Sequence, residues 1–99
     1  MRREIIFAPL ARFEFEDAAA WYENQQPGLS DEFRIEVREI LDRVLSSPER
    51  FRLASPTTRK ATLRRFPYSI YYSVEPRVIN VISVFHGARN PVEIRTRLK

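Results

Sequence analysis

The sequence predicts an α+β domain in which a helical hairpin packs on a small antiparallel sheet. Two amphipathic helical patterns follow one another in the first half of the chain. A short polar stretch containing Pro27 and Gly28 separates them, as in an antiparallel helix pair. Residues 63–91 then alternate as strands do. The element order is therefore β-αα-βββ, and residues 1–99 are expected to form a single domain.

Residues 3–8 are predicted to form the first strand, because Ile5 and Phe7 alternate with Ile6. The pattern leaves the position of this strand within the sheet open. Pro9 then favours the first turn of a helix. The apolar residues of this helix are expected in the core, and they are Leu10, Phe13, Phe15, Ala18, Ala19, Ala20, Trp21 and Tyr22.

The second helix is predicted to begin with Ser30 as its N-cap, followed by Asp31 and Glu32 near the positive end of the helix dipole. Its apolar residues recur with helical spacing and form one stripe, consisting of Phe33, Val37, Ile40, Leu41 and Val44. Pro48 follows its end. Residues 49–60 have no sustained period and are predicted to be a loop.

Three strands in a meander are predicted within residues 63–91, with a proline at each turn. Residues 68–74 alternate as a strand with one buried face does. Residues 77–85 are apolar on both sides, which is typical of a central strand. The tail, residues 92–99, is compatible with a short helical turn or an extended segment.

Composition excludes several classes of protein. The chain has no cysteine and one histidine, so we expect no disulfide, no metal site and no cofactor. No apolar stretch approaches the roughly 20 residues that span a bilayer, and the N-terminus lacks the apolar region of a signal peptide. A cytoplasmic location and no membrane partner are therefore expected. Gly-rich phosphate loops and serine or cysteine nucleophile motifs are also absent.

Arginine accounts for most of the positive charge. The net charge is +4, and all basic residues except Lys60 and Lys99 are arginine. Guanidinium groups pair with phosphates or carboxylates, although a GC-rich genome would produce the same composition. Arg64 and Arg65 are adjacent on a predicted strand, so one of them faces away from the helices. We expect it to share an open, basic surface with Arg89 and Tyr71, suited to a nucleobase or an acidic peptide; an ordinary solvated sheet face is the alternative.

His86 is the only histidine, and it lies at the end of the last strand. Histidine titrates nearest to neutral pH, so one interpretation is a proton carrier or a hydrogen-bond donor to a partner. The other is a structural cap that bonds a backbone carbonyl. The candidate catalytic residues are His86, Arg89, Arg64 and Arg65, because RNA cleavage needs an acid, a base and a cation for the developing charge.

Three stretches carry a resemblance to a known family: WYENQQPGLSDEF (21–33), SSPERF (46–51) and RRFPYSIYYSVEPRVINVISVFHGARNP (64–91). They resemble the RelE/ParE superfamily of bacterial toxins from type II toxin–antitoxin modules, and most closely its ParE-like, plasmid-stabilisation branch. The resemblance implies the same β-αα-βββ fold. It also implies a cognate ParD-like antitoxin whose acidic or amphipathic C-terminal segment wraps the toxin. ParE-type members poison DNA gyrase, whereas RelE-type members cleave mRNA in the ribosomal A site.

The chain departs from the RelE-type nuclease pattern. That pattern has a basic residue, an arginine and a tyrosine about where this chain has Ser69, Gly87 and Glu93. The resemblance therefore implies a gyrase-directed toxin that is not an enzyme. A ribosome-dependent mRNA endoribonuclease and a non-toxic relic that still binds antitoxin are the two alternatives. The residues expected to contact the target or the antitoxin are Arg64, Arg65, Tyr71, His86 and Arg89.

Overall fold

The structure is a computed structural model, and it describes residues 2–98. A five-stranded sheet carries two long helices on one face and a short helix over part of the other. The elements are β1 Glu4–Phe7, α1 Pro9–Gln25, α2 Leu29–Ser46, a 3-10 helix Pro48–Arg50, β2 Leu53–Ser55, β3 Thr58–Thr62, β4 Tyr68–Val74, β5 Val78–His86 and α3 Pro91–Arg97. The α+β class and the helical hairpin are confirmed, and the tail is helical. No helix among the described residues is long and apolar enough to cross a membrane.

The strand order is β1-β5-β4-β3-β2, which places β5 in the interior of the sheet as its two-sided apolar pattern predicts. The neighbours β5, β4, β3 and β2 pair antiparallel. The first strand lies at the edge and pairs parallel with β5, Ile5 lying opposite Ile79. The sheet is therefore mostly antiparallel.

The predicted loop over residues 49–60 was wrong, because this segment contains the 3-10 helix, β2 and most of β3. The strands in this segment form because they pair with neighbouring strands, so no local apolar period marks them. Arg59 of β3, for example, lies opposite Tyr72 of β4. The prediction that Arg64 and Arg65 lie on a strand was also wrong. They lie in the turn between β3 and β4, which the Leu63 N–H closes by donating to the Tyr68 carbonyl at 2.9 Å.

Both long helices bury a stripe with the same i, i+3, i+4, i+7, i+8, i+11 spacing. The buried residues are Ala11, Glu14, Phe15, Ala18, Ala19 and Tyr22 in α1, and Phe33, Glu36, Val37, Ile40, Leu41 and Val44 in α2. They form one core with sheet residues that include Ile70, Tyr72, Ile79, Val81 and Val84. Each stripe contains one glutamate at its second position.

Four residues of α1 that were predicted to be buried are exposed, namely Ala20 and three larger side chains. Leu10, Phe13 and Trp21 have exposed fractions of 51%, 64% and 56%. They lie on a flank of α1 outside its buried stripe, so the helix is apolar on more than one side. The alanine-rich face is the one buried, because small side chains allow close approach to α2 and the sheet.

The turn between α1 and α2 is held by a carboxylate from α1. Gly28 precedes α2 in the left-handed region, with φ 89°. Ser30 lies inside the helix, so its predicted N-cap role was wrong. Instead, the Glu23 carboxylate accepts the Gly28 N–H at 3.0 Å and the Ser30 hydroxyl at 2.7 Å. The Gly28 N–H, and then the Ser30 groups, lower the pKa of Glu23.

A bulge interrupts β5 near its middle. Tyr72 lies opposite Val81 and Tyr71 opposite Ser83, so Ile82 has no counterpart on β4. The extra residue shifts the alternation of β5 by one position. As a result Val81 before the bulge and Val84 after it both join the core.

Candidate functional site

Two loops that carry the predicted site residues lie side by side at one end of the sheet. Tyr68 and His86 are opposite one another in the β4–β5 ladder, and their rings meet edge-on with centroids 4.9 Å apart. The Gly87 N–H donates to the Pro67 carbonyl at 2.7 Å. The structure therefore brings the turn of residues 63–67 and the loop of residues 87–90 together, as a surface that we call the loop end.

At the loop end, Arg64 and Arg65 are held by glutamates of α2. The buried Glu36 carboxylate accepts the backbone N–H groups of both, that of Arg65 at 3.1 Å. The Arg65 guanidinium pairs with Glu32. The arginine side chains line a pocket of about 410 Å³ between this turn and α2, and its other lining residues are Glu32, Ile35, Glu36, Glu39, Ile40 and Arg43. Because acidic and basic residues alternate there, the pocket is a mixed-charge surface and not a purely basic one.

The Arg89 guanidinium binds two carboxylates. It donates to Glu14 at 3.1 Å and to Glu93 at 2.5 Å, and it lies 4.3 Å from the centre of the Phe85 ring. Burial opposes the charge of Arg89, but the hydrogen bonds that its guanidinium donates to Glu93 and Glu14 outweigh that effect and raise the pKa of Arg89. The cation is therefore engaged within the protein.

Glu14 is the centre of a buried polar cluster that sequence reasoning missed. Besides Arg89, its carboxylate accepts the Ser83 hydroxyl at 2.9 Å, the Val84 N–H at 3.0 Å and the Arg97 guanidinium at 2.7 Å. Arg97 also donates to the Ile82 carbonyl at 2.9 Å. The backbone hydrogen bonds from the β1 side of the sheet reach β5 only as far as Val81, because β1 ends there. Beyond that point, Glu14 and Arg97 bind the backbone groups of β5 that β1 no longer pairs. Four donors compensate for the burial of this carboxylate.

A sequence signal for the two buried glutamates existed. Glu14 is three residues after Ala11, and Glu36 is three residues after Phe33, so each occupies a core position of its helix stripe. An acidic residue on a buried stripe requires donors from the rest of the fold. The helical period therefore marks both positions, although it does not identify their partners.

Tyr71 does not lie on an open surface, and that prediction was wrong. Its exposed fraction is 6%, and it forms a second apolar cluster with Phe85 and Ile94. The cause is α3, which begins with Asn90 as a true N-cap: its side chain accepts the Val92 N–H at 2.9 Å. The helical tail therefore covers the surface that was expected to carry Tyr71.

His86 is bonded to the backbone, but not to a carbonyl as its structural interpretation predicted. Its Nδ1 accepts the Ala88 N–H at 2.9 Å, which assigns the proton of a neutral ring to Nε2. The ring borders a pocket of about 240 Å³ whose other lining residues are Asp17, Ala18, Trp21, Tyr22 and Tyr68. Burial raises the pKa of Tyr22 and is the largest cause of the raised pKa of Tyr68, so both rings stay neutral.

The positions that RelE-type nucleases use hold no catalytic set. Ser69 is buried and shares a hydrogen bond with Thr62 at 3.1 Å, Gly87 has no side chain, and Glu93 binds Arg89. Within residues 2–98, no group of three metal-binding side chains is placed to hold an ion.

A family model described as the ParE toxin of the type II toxin–antitoxin system, parDE, matches residues 5–91. The chain belongs to the ParE toxin family. Its membership in the RelE/ParE superfamily confirms the resemblance seen in the sequence. A search among curated proteins finds no significant match to this ParE-family chain.

Solved structures agree with this assignment. The chromosomal ParDE toxin–antitoxin system of P. aeruginosa matches with a TM-score of 0.74 and 15% identity over 86% of this chain and 96% of that one, which shows the shared fold. The isolated E. coli RelE toxin matches with a TM-score of 0.65 and 27% identity over 98% of this chain and 99% of that one. A doubly substituted E. coli RelE in complex with a RelBc antitoxin peptide matches with a TM-score of 0.66 and 25% identity over 100% and 96%. This chain is thus a ParE-family toxin with the fold of both branches.

Proposed function

We propose that this ParE-family toxin acts by binding DNA gyrase and inhibiting it, and that a ParD-like antitoxin encoded with it neutralises it. The observation that carries the proposal is the pairing of two candidate arginines, Arg65 and Arg89, with carboxylates. Arg65 binds Glu32, and Arg89 binds Glu14 and Glu93. A cation must be available to the reacting phosphate if it is to stabilise developing charge there. These guanidinium groups are already neutralised, which favours a binding toxin over a nuclease.

The loop end is the surface we assign to the target. It carries the exposed Arg64 and Arg65 side chains, His86 and the partly exposed Arg89 in two adjoining loops. Tyr71 lies beneath α3, so it contributes through the position of that helix and not by direct contact. Gyrase and ribosomes are both cytoplasmic, so the proposed site of action is the cytoplasm.

Ribosome-dependent mRNA cleavage is the second candidate. It is favoured by the 27% identity to E. coli RelE over almost the whole chain. His86 would transfer the proton, and Arg64, Arg65 or Arg89 would contact phosphate, provided that Arg65 and Arg89 leave their carboxylates on the ribosome. A relic that binds antitoxin without being toxic is the third candidate.

The antitoxin is expected to approach by electrostatic attraction. The toxin carries a net charge of +4, so an acidic partner segment is steered toward it. Raising the salt concentration should then slow association more than it changes dissociation. An association rate that does not respond to salt would contradict this picture.

The deciding experiment expresses the toxin in bacteria without its antitoxin. An SOS reporter and the incorporation of labelled amino acids are followed together during the first minutes of induction. Inhibition of gyrase predicts an early SOS response while protein synthesis continues, and loss of supercoiling by purified gyrase. Early arrest of translation with cleaved mRNA would establish the nuclease instead, and harmless expression would establish the relic.

A matched pair of variants connects this result to the loop end. Arg64→Ala removes an exposed side chain from the loop end, and Arg38→Ala removes one from the outer side of α2. Toxicity should fall with the first substitution and persist with the second. Equal toxicity of the two variants would place the target surface elsewhere.

A further inference from the structure

A pocket of about 410 Å³ lies between α2 and the turn that carries Arg64 and Arg65. Its size is within the range of roughly 300–1,000 Å³ that is usual for cavities that receive a ligand group. The buried Ile40 and the exposed Ile35 supply its apolar lining, and its other lining residues are charged. We call this cavity the α2–turn pocket.

Two of the three carboxylates in the α2–turn pocket are used within the protein. The buried Glu36 accepts the backbone N–H groups of Arg64 and Arg65, that of Arg65 at 3.1 Å, so its charge holds the turn. The Glu32 carboxylate pairs with the Arg65 guanidinium. Both carboxylates therefore fix the rim of the pocket and offer little charge to a molecule that enters it.

Three other charged side chains of the pocket have no ion-pair partner. Among residues 2–98, no salt bridge involves Arg43, Arg64 or Glu39, and all three residues are exposed. Glu39 precedes Arg43 by one helical turn, yet no ion pair joins them. Two guanidinium groups and one carboxylate are thus available, and a guanidinium group favours two-point pairing with a carboxylate.

We infer that gyrase places an acidic side chain in the α2–turn pocket, where Arg43 and Arg64 bind its carboxylate. This inference rests on the proposed function, which supplies gyrase as the target. The pocket shares Arg64 and Arg65 with the loop end, so one partner surface contacts both. In this arrangement Glu36 is a positioning residue, because it fixes the turn on which Arg64 lies.

The balance of charge in the pocket favours a protein partner over a nucleic acid. Three glutamates line the pocket beside three arginines, so a run of phosphates meets repulsion as well as attraction. A single carboxylate on a protein surface carries no such run of charge. Ile35, whose exposed fraction is 56%, also offers an apolar contact of the kind found in protein interfaces.

The first test measures how strongly variants of the toxin inhibit supercoiling by purified gyrase. Arg43→Gln should raise the toxin concentration for half-inhibition about tenfold, because it removes one of the two available cations. Glu39→Gln should lower that concentration, because it removes a charge that repels the entering carboxylate. The control Arg38→Gln makes the same substitution on the outer side of α2 and should change the concentration less than about twofold. Affinity for the antitoxin and thermal stability are measured for the same variants.

A second test locates bound gyrase without relying on a loss of activity. The chain has no cysteine, so Glu39→Cys introduces a single thiol at the pocket. Excess gyrase should slow the reaction of this thiol with a maleimide severalfold. The control Thr57→Cys places the thiol in the exposed turn between β2 and β3, where gyrase should leave the reaction rate unchanged.

Equal effects of Arg43→Gln and Arg38→Gln on inhibition overturn the inference and leave the proposed function standing. Weaker inhibition by Glu39→Gln, or a thiol in Glu39→Cys that reacts at the same rate with and without gyrase, has the same consequence. Loss of antitoxin affinity in Arg43→Gln with unchanged inhibition would assign the pocket to the antitoxin and also overturns the inference. If the natural protein does not inhibit gyrase, the proposed function fails and the inference fails with it.

Discussion

The guanidinium of Arg97 donates to the carboxylate of Glu14 at 2.7 Å, which joins the last helix to the first across 83 positions of the sequence. The same carboxylate binds the Val84 N–H on the side of β5 where β1 has ended, while β4 pairs the other side of β5. The position of α3 therefore depends on one buried acidic residue. In turn, α3 covers Tyr71 and Phe85 on the other side of the sheet.

Glu14→Gln is expected to destabilise the protein by about 2–3 kcal/mol, because a neutral amide cannot accept from two guanidinium groups and leaves buried donors unsatisfied. Chemical denaturation measures this change. Trypsin should also cleave at Arg95 and Arg97 faster, since α3 is no longer held to α1. The control is Glu93→Gln, which removes only the exposed partner of Arg89 and should cost less than about 0.5 kcal/mol. Equal losses in the two variants would contradict a special role for Glu14.

Glu36→Gln is expected to loosen the turn that carries Arg64 and Arg65. The carboxylate accepts both backbone N–H groups of that turn, and a glutamine offers one acceptor oxygen in its place. The expected loss is about 1.5–3 kcal/mol. Amide hydrogen exchange at Arg64 and Arg65 should accelerate, while the exposed neighbour Glu39→Gln leaves it unchanged. Unaltered exchange in Glu36→Gln would show that the turn holds its conformation without this carboxylate.

Gly28→Ala is expected to cost about 1 kcal/mol, although an added methyl group would meet no atom within 4 Å. The cost arises from its φ of 89°, which L-residues avoid. Gly87→Ala offers the comparison, because its added carbon would make an ordinary contact 3.5 Å from the Pro67 carbonyl and should cost less than about 0.5 kcal/mol. Thermal denaturation of both variants tests the difference. A reversed order would mean that crowding at the loop end outweighs backbone strain in the helix turn.

Tyr72 is expected to make stability fall at alkaline pH. Burial raises its pKa from 10.0 to about 12, and its hydroxyl donates to the Pro48 carbonyl at 2.7 Å. The stabilisation is therefore complete below pH 10.0, where the unfolded tyrosine ionises, and is lost as pH rises through about 12. Tyr72→Phe should cost about 1 kcal/mol at neutral pH by removing that bond.

The measurement for Tyr72 is the difference in unfolding free energy between the natural protein and Tyr72→Phe as pH rises. The difference should shrink between pH 10.0 and about 12. The other tyrosines with raised pKa, Tyr22 and Tyr68, are present in both proteins and cancel in the comparison. A constant difference across this range would refute the assignment.

Much of the fold could be predicted from local pattern. The apolar stripe of α2 predicted a helix, and the two apolar faces of β5 predicted a central strand. Each pattern matches the geometry of one kind of element. The segment of residues 49–60 could not be identified in this way, since its strands are short and form through pairing with β4. The bulge at Ile82 is likewise a property of the ladder between two strands, not of either alone.

The candidate site was predictable only in part. His86 and Arg89 do lie beside the turn of Arg64 and Arg65, because neighbouring antiparallel strands bring their connections to the same end of the sheet. Their partners Glu14, Glu32 and Glu36 come from helices distant in sequence. Whether an arginine is available to a target or bound to a carboxylate depends on those long-range contacts.

By itself, the sequence determined the α+β class, the helical hairpin and the family, because periodicity and motif residues are local properties. Only the tertiary structure decided which face of α1 is buried, since the helix is apolar on more than one side and the choice depends on which side chains fit against α2 and the sheet. It also decided that Tyr71 lies beneath α3 and that Trp21 remains exposed. Burial is a relation between segments, so it follows from the packing of the whole chain and not from any one stretch of it.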